Sequence, residues 1–285
     1  MTLTAGNIKS LHRYEIKILL ALERMMRRYA WVPEDDLRAA THLSKEELKY
    51  RCGTLIEKDF VRAESVPYRG YALVFAGYDT IALRSLVDKQ HISALGAFIG
   101  VGKESEIYKA LGFGEVILKF HKIGQRSFQT VRTNREYMPE SGHCPWIFAS
   151  AKSAAREYEA LKALNGHVSV PVPIALDRHV IVMSFIDGVN LFRCTLANPD
   201  ETYQRILDEV RAAYRTGYIH GDLSEYNIMV DDNNLWIIDW PQWVAPDHPN
   251  AEVTLRHDME TVCAFFAKKY RKHYSADEAI SYVTS

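Results

Sequence analysis

The chain has 285 residues, 47% hydrophobic and 25% charged, with a formal net charge of −1 and a pI near 6.8. These are ordinary globular values for one large domain or two moderate ones, and they exclude a global electrostatic pull toward nucleic acid. Four scattered cysteines (Cys52, Cys144, Cys194, Cys263), with no CxxC pair and no HExxH, give no support to zinc and fit free thiols in a reducing compartment. The amino terminus has no apolar core of signal-peptide type, and no run reaches the roughly 18 apolar residues of a membrane span. A soluble, cytoplasmic protein without a membrane partner is expected.

Residues Asn7–Tyr29 carry apolar side chains at Leu11, Ile16, Leu19, Leu20, Leu22, Met25 and Met26, a helical stripe. Pro33 opens a short helix, EDDLRAA, with acidic residues in its first turn. Ser44 and Glu47 form the pattern of a capping box for a third helix, whose expected buried face is Leu48, Leu55 and Ile56. Strands at Phe60–Ala63 and Tyr71–Phe75 and a helix at Thr80–Asp88 follow. Helix, helix-turn-helix and a two-stranded hairpin is a winged-helix pattern. Its third helix sets Lys45, Lys49, Arg51 and Lys58 against Glu46, Glu47 and Glu57, a surplus of a single positive charge. That argues against sequence-specific DNA binding. Structured RNA, a ribonucleoprotein surface, or a purely structural or protein-docking role remain open.

Ile92–Ile99 leads into GVGKESEIYKA. Gly100 and Gly102 let the backbone approach a phosphate, and Lys103 and Ser105 add donors. The third glycine of GxGxxG is missing, and the lysine follows GVG too closely for a Walker A loop. EVILKF, Glu115–Phe120, is a strand with Lys119 between apolar neighbours. A polar stretch over 122–150 follows, reading as an insertion in which Lys122, Arg126, Arg132 and Arg135 either meet RNA phosphate or are simply solvated, with Ser127 as a conceivable autophosphorylation site. Ser153–Leu164 is strongly helical. Glu157 shares a face with Ala154 and Leu161 and is expected to point inward, whereas Glu159 is expected to face water. His179–Phe185 is a buried strand, and Pro199–Thr216 an amphipathic helix.

The most informative stretch is Tyr218–Val244, YIHGDLSEYNIMVDDNNLWIIDWPQWV. Ile228–Val230 and Leu235–Ile238 read as a hairpin around the turn Asp231–Asn234. Asp222 and Asn227 lie before it and Asp239 ends it. Two carboxylates and an amide at the mouths of one hairpin suit Mg²⁺, with Asp222 placed to accept a hydroxyl proton or orient a nucleophile. HxDxxxxN followed by a strand-terminal Asp is similar to the catalytic and metal loops of the protein-kinase fold. That likeness gives the earlier residues roles. Lys119 becomes the α/β-phosphate lysine, and Glu157 its carboxylate partner. The strand at 179–185 becomes a hinge, with backbone at Ser184 and Ile186 on the adenine edge and Met183 packing behind.

About 46 residues follow Asp239, with no APE and no room for a long activation segment; Gly221 replaces the Arg of HRD. These features argue against a phosphorylation-gated protein kinase with an open peptide groove. In the helix pair expected from Glu252 onward, Asp258 should accept hydrogen bonds from the HGD loop. A small-molecule phosphotransferase of the aminoglycoside or choline type also resembles HGDxxxxN with IDW, but needs an insertion for which little chain remains. A winged-helix nucleic-acid module with an inert kinase-like half is the other alternative.

GVGKESEIY, ILKFHK, HGDLSEYNIMV and IIDWPQWV resemble the RIO family of atypical serine kinases, and the winged helix points to its winged-helix subgroup. The resemblance implies an α+β fold: a winged helix at 1–90, then a truncated two-lobed kinase-like domain at 91–285, with lobes at about 91–183 and 187–285. It implies ATP and Mg²⁺, catalysis by Asp222, metal ligation by Asn227 and Asp239, and nucleotide binding by Gly100, Gly102, Lys103, Ser105, Lys119, Glu157, Met183, Ser184 and Ile186. It also implies autophosphorylation on serine, or ATP hydrolysis through a transient phosphate on Asp239. The implied partner is the small ribosomal subunit precursor, its rRNA and ribosomal proteins. Trp240 stands where Phe is commoner in the subgroup, and keeps an aromatic packing residue.

Overall fold

A computed structural model describes residues 10–124 and 146–285. The expectations for Arg126, Ser127, Arg132 and Arg135 lie outside the described residues. The chain divides into two compact units, Met1–Ala154 with Ala175–Val182, and Ala155–Ile174 with Met183–Ser285.

The first unit begins with helices α1 (Arg13–Met25), α2 (Glu34–Thr41) and α3 (Lys45–Glu57) and strands β1 (Val32–Pro33), β2 (Val61–Glu64) and β3 (Gly70–Leu73), in sheet order β1-β3-β2. This is the winged helix, with one strand more than expected: Val32 and Pro33 pair with Tyr71 and Gly70. The first helix starts at Arg13 because His12 closes a capping box with Glu15. Leu20 is exposed, and Ile18, Leu19 and Leu22 form the buried stripe. In α3 the box is only half made. Ser44 Oγ accepts from the Glu47 amide, but Glu47 Oε1 turns to Arg51 Nε at 2.8 Å. Ile56 is exposed, and Cys52 completes the buried face with Leu48 and Leu55, a strict i, i+4, i+7 series. Glu15, buried at 2% exposure, draws in Arg51 at 3.6 Å and Lys58 at 3.2 Å. Two of the four cations counted on α3 and its end are therefore spent inside the module.

Helix α4 (Phe75–Asp88) starts five residues before its expected start. Gly77 permits this, since a Cβ there would meet the Phe60 carbonyl oxygen at 2.3 Å. Tyr78 and Ile81 pack in the winged-helix core. Ala82, Leu83 and Leu86 pack in the next one, under a five-stranded sheet of order β4-β5-β6-β8-β7. Its strands are β4 (Ala94–Val101), β5 (Ser105–Leu111), β6 (Glu115–His121), β7 (Pro173–Asp177) and β8 (Val180–Ser184). One helix thus serves two cores.

Helix α5 (Trp146–Leu164) begins inside the stretch that reads as an insertion. Ile147 is fully buried in the winged-helix core, with Trp146 and Phe148 packed on it. Trp146 lies 3.8 Å, centroid to centroid, from Phe75. Lys122 is also not an RNA contact. It is 6% exposed, with Nζ 2.9 Å from Asp79 Oδ2 and 2.7 Å from Glu106 Oε2. The other Asp79 oxygen meets His179 Nε2 at 2.7 Å. Burial alone would lower the Lys122 pKa, but the two carboxylates together raise it. Burial lowers that of His179.

The second unit holds β9 (Val189–Asn190), α6 (Pro199–Thr216), β10 (Ile228–Val230), β11 (Leu235–Ile237), α7 (Ala251–Tyr270) and α8 (Ala276–Thr284). Pro199 at the first turn and Gly217 at φ +96° bound α6. The β10–β11 hairpin has the expected register, Val230 opposite Leu235, and gains β9 as a third strand. Asp231 Oδ1 accepts from the Asn233 and Asn234 amides, which closes the turn.

Candidate active site

In the first unit, β4 and β5 pair antiparallel with register shifts between Leu95 and Gly100, where the glycine loop begins. The Gly102 amide donates to the Ser105 carbonyl at 2.8 Å. A Cβ on Gly102 would lie 2.9 Å from Ser105 Oγ. Lys103 is exposed at the tip, Gly100 and Ser105 are half-buried. Lys119 lies opposite Ile107 in the β5–β6 ladder, between the fully buried Leu118 and Phe120, and is itself 6% exposed.

In the second unit, Glu157 on α5 is buried at 1% exposure, while Glu159 is exposed. The Ser184 amide donates to the Val172 carbonyl at 2.9 Å, and Ser184 Oγ accepts from the Val172 amide. The Ser184 N–H is therefore already used, which narrows any adenine contact there to its carbonyl. Met183 is buried beside it, and Ile186 is half-buried.

The stretch from His220 to Asp239 is cross-bonded throughout. His220 Nε2 donates to the Ile238 carbonyl at 3.0 Å, and Nδ1 accepts from the Asp222 amide at 3.2 Å. One imidazole thus ties the residue before Asp239 to Asp222 itself, and both bonds call for the neutral Nε2–H tautomer. Trp240, 1% exposed, packs on that ring at 4.5 Å and donates Nε1–H to the Ile237 carbonyl. Asp258 accepts from the Gly221 amide at 2.8 Å and the Leu223 amide at 2.9 Å, the bonds its position after the hairpin leads one to expect. Burial pushes the Asp258 carboxyl above its ordinary range, against the hydrogen bonds from those two amides.

Gly221 explains the absent arginine. Its φ is +81°, and a Cβ would lie 2.6 Å from the Gln242 carbonyl oxygen, so any side chain here is strained and displaced. Asp239 sits at φ +69°, a costly conformation for a non-glycine residue and one that clusters at functional sites.

Asn227 Nδ2 donates to the Asp222 carbonyl at 2.8 Å, and the Asn227 backbone carbonyl accepts from the Ile238 amide. The amide orientation is thereby set, with Oδ1 as its open acceptor. Asn227 Oδ1 and the Asp239 carboxylate are both oxygen donors, the kind that suits Mg²⁺. No group of three His, Cys, Asp or Glu side chains spaced for a metal occurs among the described residues. Asp222 is exposed, Asn227 and Asp239 half-buried. His220 and Gly221 are the residues whose positioning work spacing alone leaves unassigned; the HGD triplet is the only local sign of it.

The model of the RIO domain matches residues 105–279, and that of the Rio2 N-terminal domain matches residues 8–89. The chain belongs to the RIO family of kinases. A RIO-type serine/threonine-protein kinase, Rio2, of Methanocaldococcus jannaschii is 37% identical over 273 residues, covering 91% of this chain and 100% of that one. The serine/threonine-protein kinase rio2 of Schizosaccharomyces pombe is 33% identical over 283 residues, covering 93% and 80%. A crystal structure of the Rio2 kinase–ADP/Mg²⁺–phosphoaspartate complex from Chaetomium thermophilum superposes with a TM-score of 0.85 at 27% identity, covering 99% of this chain and 89% of that one. The RIO match begins at Ser105, so Gly100, Gly102 and Lys103 fall between the two matched stretches of this RIO chain. Among the described residues no helix is long and apolar enough to cross a membrane.

Proposed function

We propose that the chain is an Mg²⁺- and ATP-dependent atypical serine kinase and ATPase that phosphorylates itself and acts in the maturation of the small ribosomal subunit. The observation that carries this reading is the His220 bridge, which fastens Asp222 and the approach to Asp239 to one imidazole. It leaves an acceptor carboxylate and an oxygen donor set on one scaffold.

Asp222 holds the proton of an attacking hydroxyl or orients a water. Asn227 Oδ1 and the Asp239 carboxylate hold Mg²⁺, and Lys119 and Glu157 serve the nucleotide phosphates. Gly100, Gly102, Lys103 and Ser105 bring backbone and side-chain donors to the triphosphate, and Met183, the Ser184 carbonyl and Ile186 take the adenine. When bound, the metal neutralises charge developing on the β- and γ-oxygens. The phosphoaspartate of the Chaetomium relative supports a second role for Asp239. Its carboxylate oxygen bonds to the γ-phosphorus as the bond to the ADP oxygen breaks, and water then releases phosphate. The stretch 1–90 acts as a winged-helix docking module for rRNA or ribosomal protein and 91–285 as the kinase domain, a division supported by the two family matches. We place its work in the cytoplasm.

With γ-labelled ATP, phosphate should appear on the protein or as free phosphate, and not on amino-sugars or choline. Transfer to such small molecules at enzyme-like rates would overturn the reading. Small-subunit precursor RNA should copurify with the full chain and be lost without residues 1–90.

A further inference from the structure

The residues around Arg156 and Trp243 make a connection that no single motif contains. Arg156 lies on α5, next to Glu157 in sequence. Its Nε donates to the Pro241 carbonyl at 3.3 Å and its Nη2 to the Trp243 carbonyl at 2.5 Å. Trp243 answers by donating Nε1–H to the Arg156 carbonyl at 3.0 Å, with the guanidinium carbon 4.8 Å from its ring centroid. Two hydrogen bonds and a cation–π contact therefore join Arg156 to Trp243, 87 residues away, and a third bond ties Arg156 to Pro241, all within the second unit.

The other edge of the same short segment is also held. Val244 and Ile219 exchange amide–carbonyl bonds at 3.0 and 2.9 Å, and the Tyr218 ring packs on Trp243 at 4.6 Å. The Gln242 carbonyl seats against Gly221. Residues 241–244 thus bracket two things at once: the helix carrying Glu157 and the loop carrying Asp222. They also leave directly from Asp239, whose left-handed backbone needs neighbours that hold it.

We infer that Arg156 and Trp243 are positioning residues for phosphoryl transfer, a lock that fixes the Glu157 helix to the segment leaving Asp239. The inference rests on the proposed role of Glu157. It accounts for how such a helix is set where HRD has lost its arginine: the work of a phosphate-bearing activation segment is done by one guanidinium and one indole. Arg is suited to this because its planar fork reaches two carbonyls while its face covers a ring, which an ammonium cannot do together.

The test compares Arg156→Ala, Arg156→Lys and Trp243→Phe with Glu157→Gln in autophosphorylation by the full chain, each normalised to the fraction of nucleotide-binding sites. Trp243→Phe keeps the ring and removes only one donor, so it serves if Arg156→Ala folds poorly. Arg156→Ala should lower kcat by about tenfold or more, as sub-ångström misplacement of a reacting group does, with a smaller change in KM for ATP. Arg156→Lys should recover only part of the loss, and Trp243→Phe should fall between. Arg156→Ala combined with Trp243→Phe should cost little more than Arg156→Ala alone, because both break one lock. If kcat per site is unchanged in the Arg156 and Trp243 variants while Glu157→Gln is impaired, the lock is wrong and the reading of Glu157 survives. If Glu157→Gln is itself unimpaired, that reading fails first.

Discussion

The glycine loop and the 220–239 hairpin are held in opposite ways. Between Gly100 and Ser105 the chain makes one closing bond, from Gly102 to Ser105, and Lys103 stands in solvent. Between His220 and Asp239 the loop is held by His220, Asp258 and Asn227, each making two hydrogen bonds to backbone or through it. The difference is one of where order comes from. A loop of backbone donors can close around a ligand and be ordered by it. Two carboxylates held close together, such as Asp222 and Asp239 on one hairpin, repel each other, so their scaffold has to be set in advance.

If that contrast holds, damage to the hairpin should cost both stability and chemistry, and damage to the loop only binding. Asp239→Ala should have the largest effect, a loss of Mg²⁺-dependent ATP turnover on the order of a thousandfold, read in a steady-state phosphate-release assay. Normal hydrolysis by that variant would remove Asp239 from the site. Asp258→Ala leaves two buried amides without their acceptor and should destabilise the chain by about 2–5 kcal/mol in urea unfolding, with turnover falling in the surviving fold. Gly221→Ala should cost about 1–3 kcal/mol for its backbone conformation and the clash with Gln242. An unchanged unfolding midpoint would mean the loop is looser than its bonds imply.

At the other extreme, Lys103→Ala should raise KM for ATP several-fold and leave stability within about 0.5 kcal/mol, as an exposed loop substitution does. The smallest expected effect is a pH dependence outside both elements. Burial tends to raise the Asp177 pKa, but Lys89 Nζ at 2.7 Å, Ser85 Oγ at 2.5 Å and Arg178 together hold it below its ordinary value. A carboxyl depressed in the folded state adds stability above its unfolded pKa, and that stability is lost as the pH falls through the folded value. The gap in stability between the parent and Asp177→Asn should therefore be widest near neutral pH and shrink below about pH 4. A gap that is flat across that range would remove Asp177 from the balance.

Much of the fold could be read from local spacing. The winged helix follows from helical stripes and two short strands. The hairpin and its polar residues follow from a run of about twenty residues in which apolar and polar groups alternate on cue. Errors collected where long-range contacts decide. Trp146 and Ile147 read as part of a polar insertion, because their partners, Phe75 and the winged-helix core, lie some seventy residues upstream. Lys122 read as a solvated cation for the same reason: Asp79 and Glu106 are what bury it. Ile56 and Cys52 traded places on α3 because an apolar residue one step off the stripe costs little when exposed.

By itself, then, the sequence determined the hairpin, the order of its donors and the family to which the chain belongs, since those depend on residues near one another. The tertiary structure decided the rest: the glycine demanded by Gln242 at position 221, the shared helix between two cores, and the pairing of Arg156 with Trp243. Each is a meeting of side chains or backbone far apart along the chain. Periodicity records which face of an element is buried, but not what it is buried against.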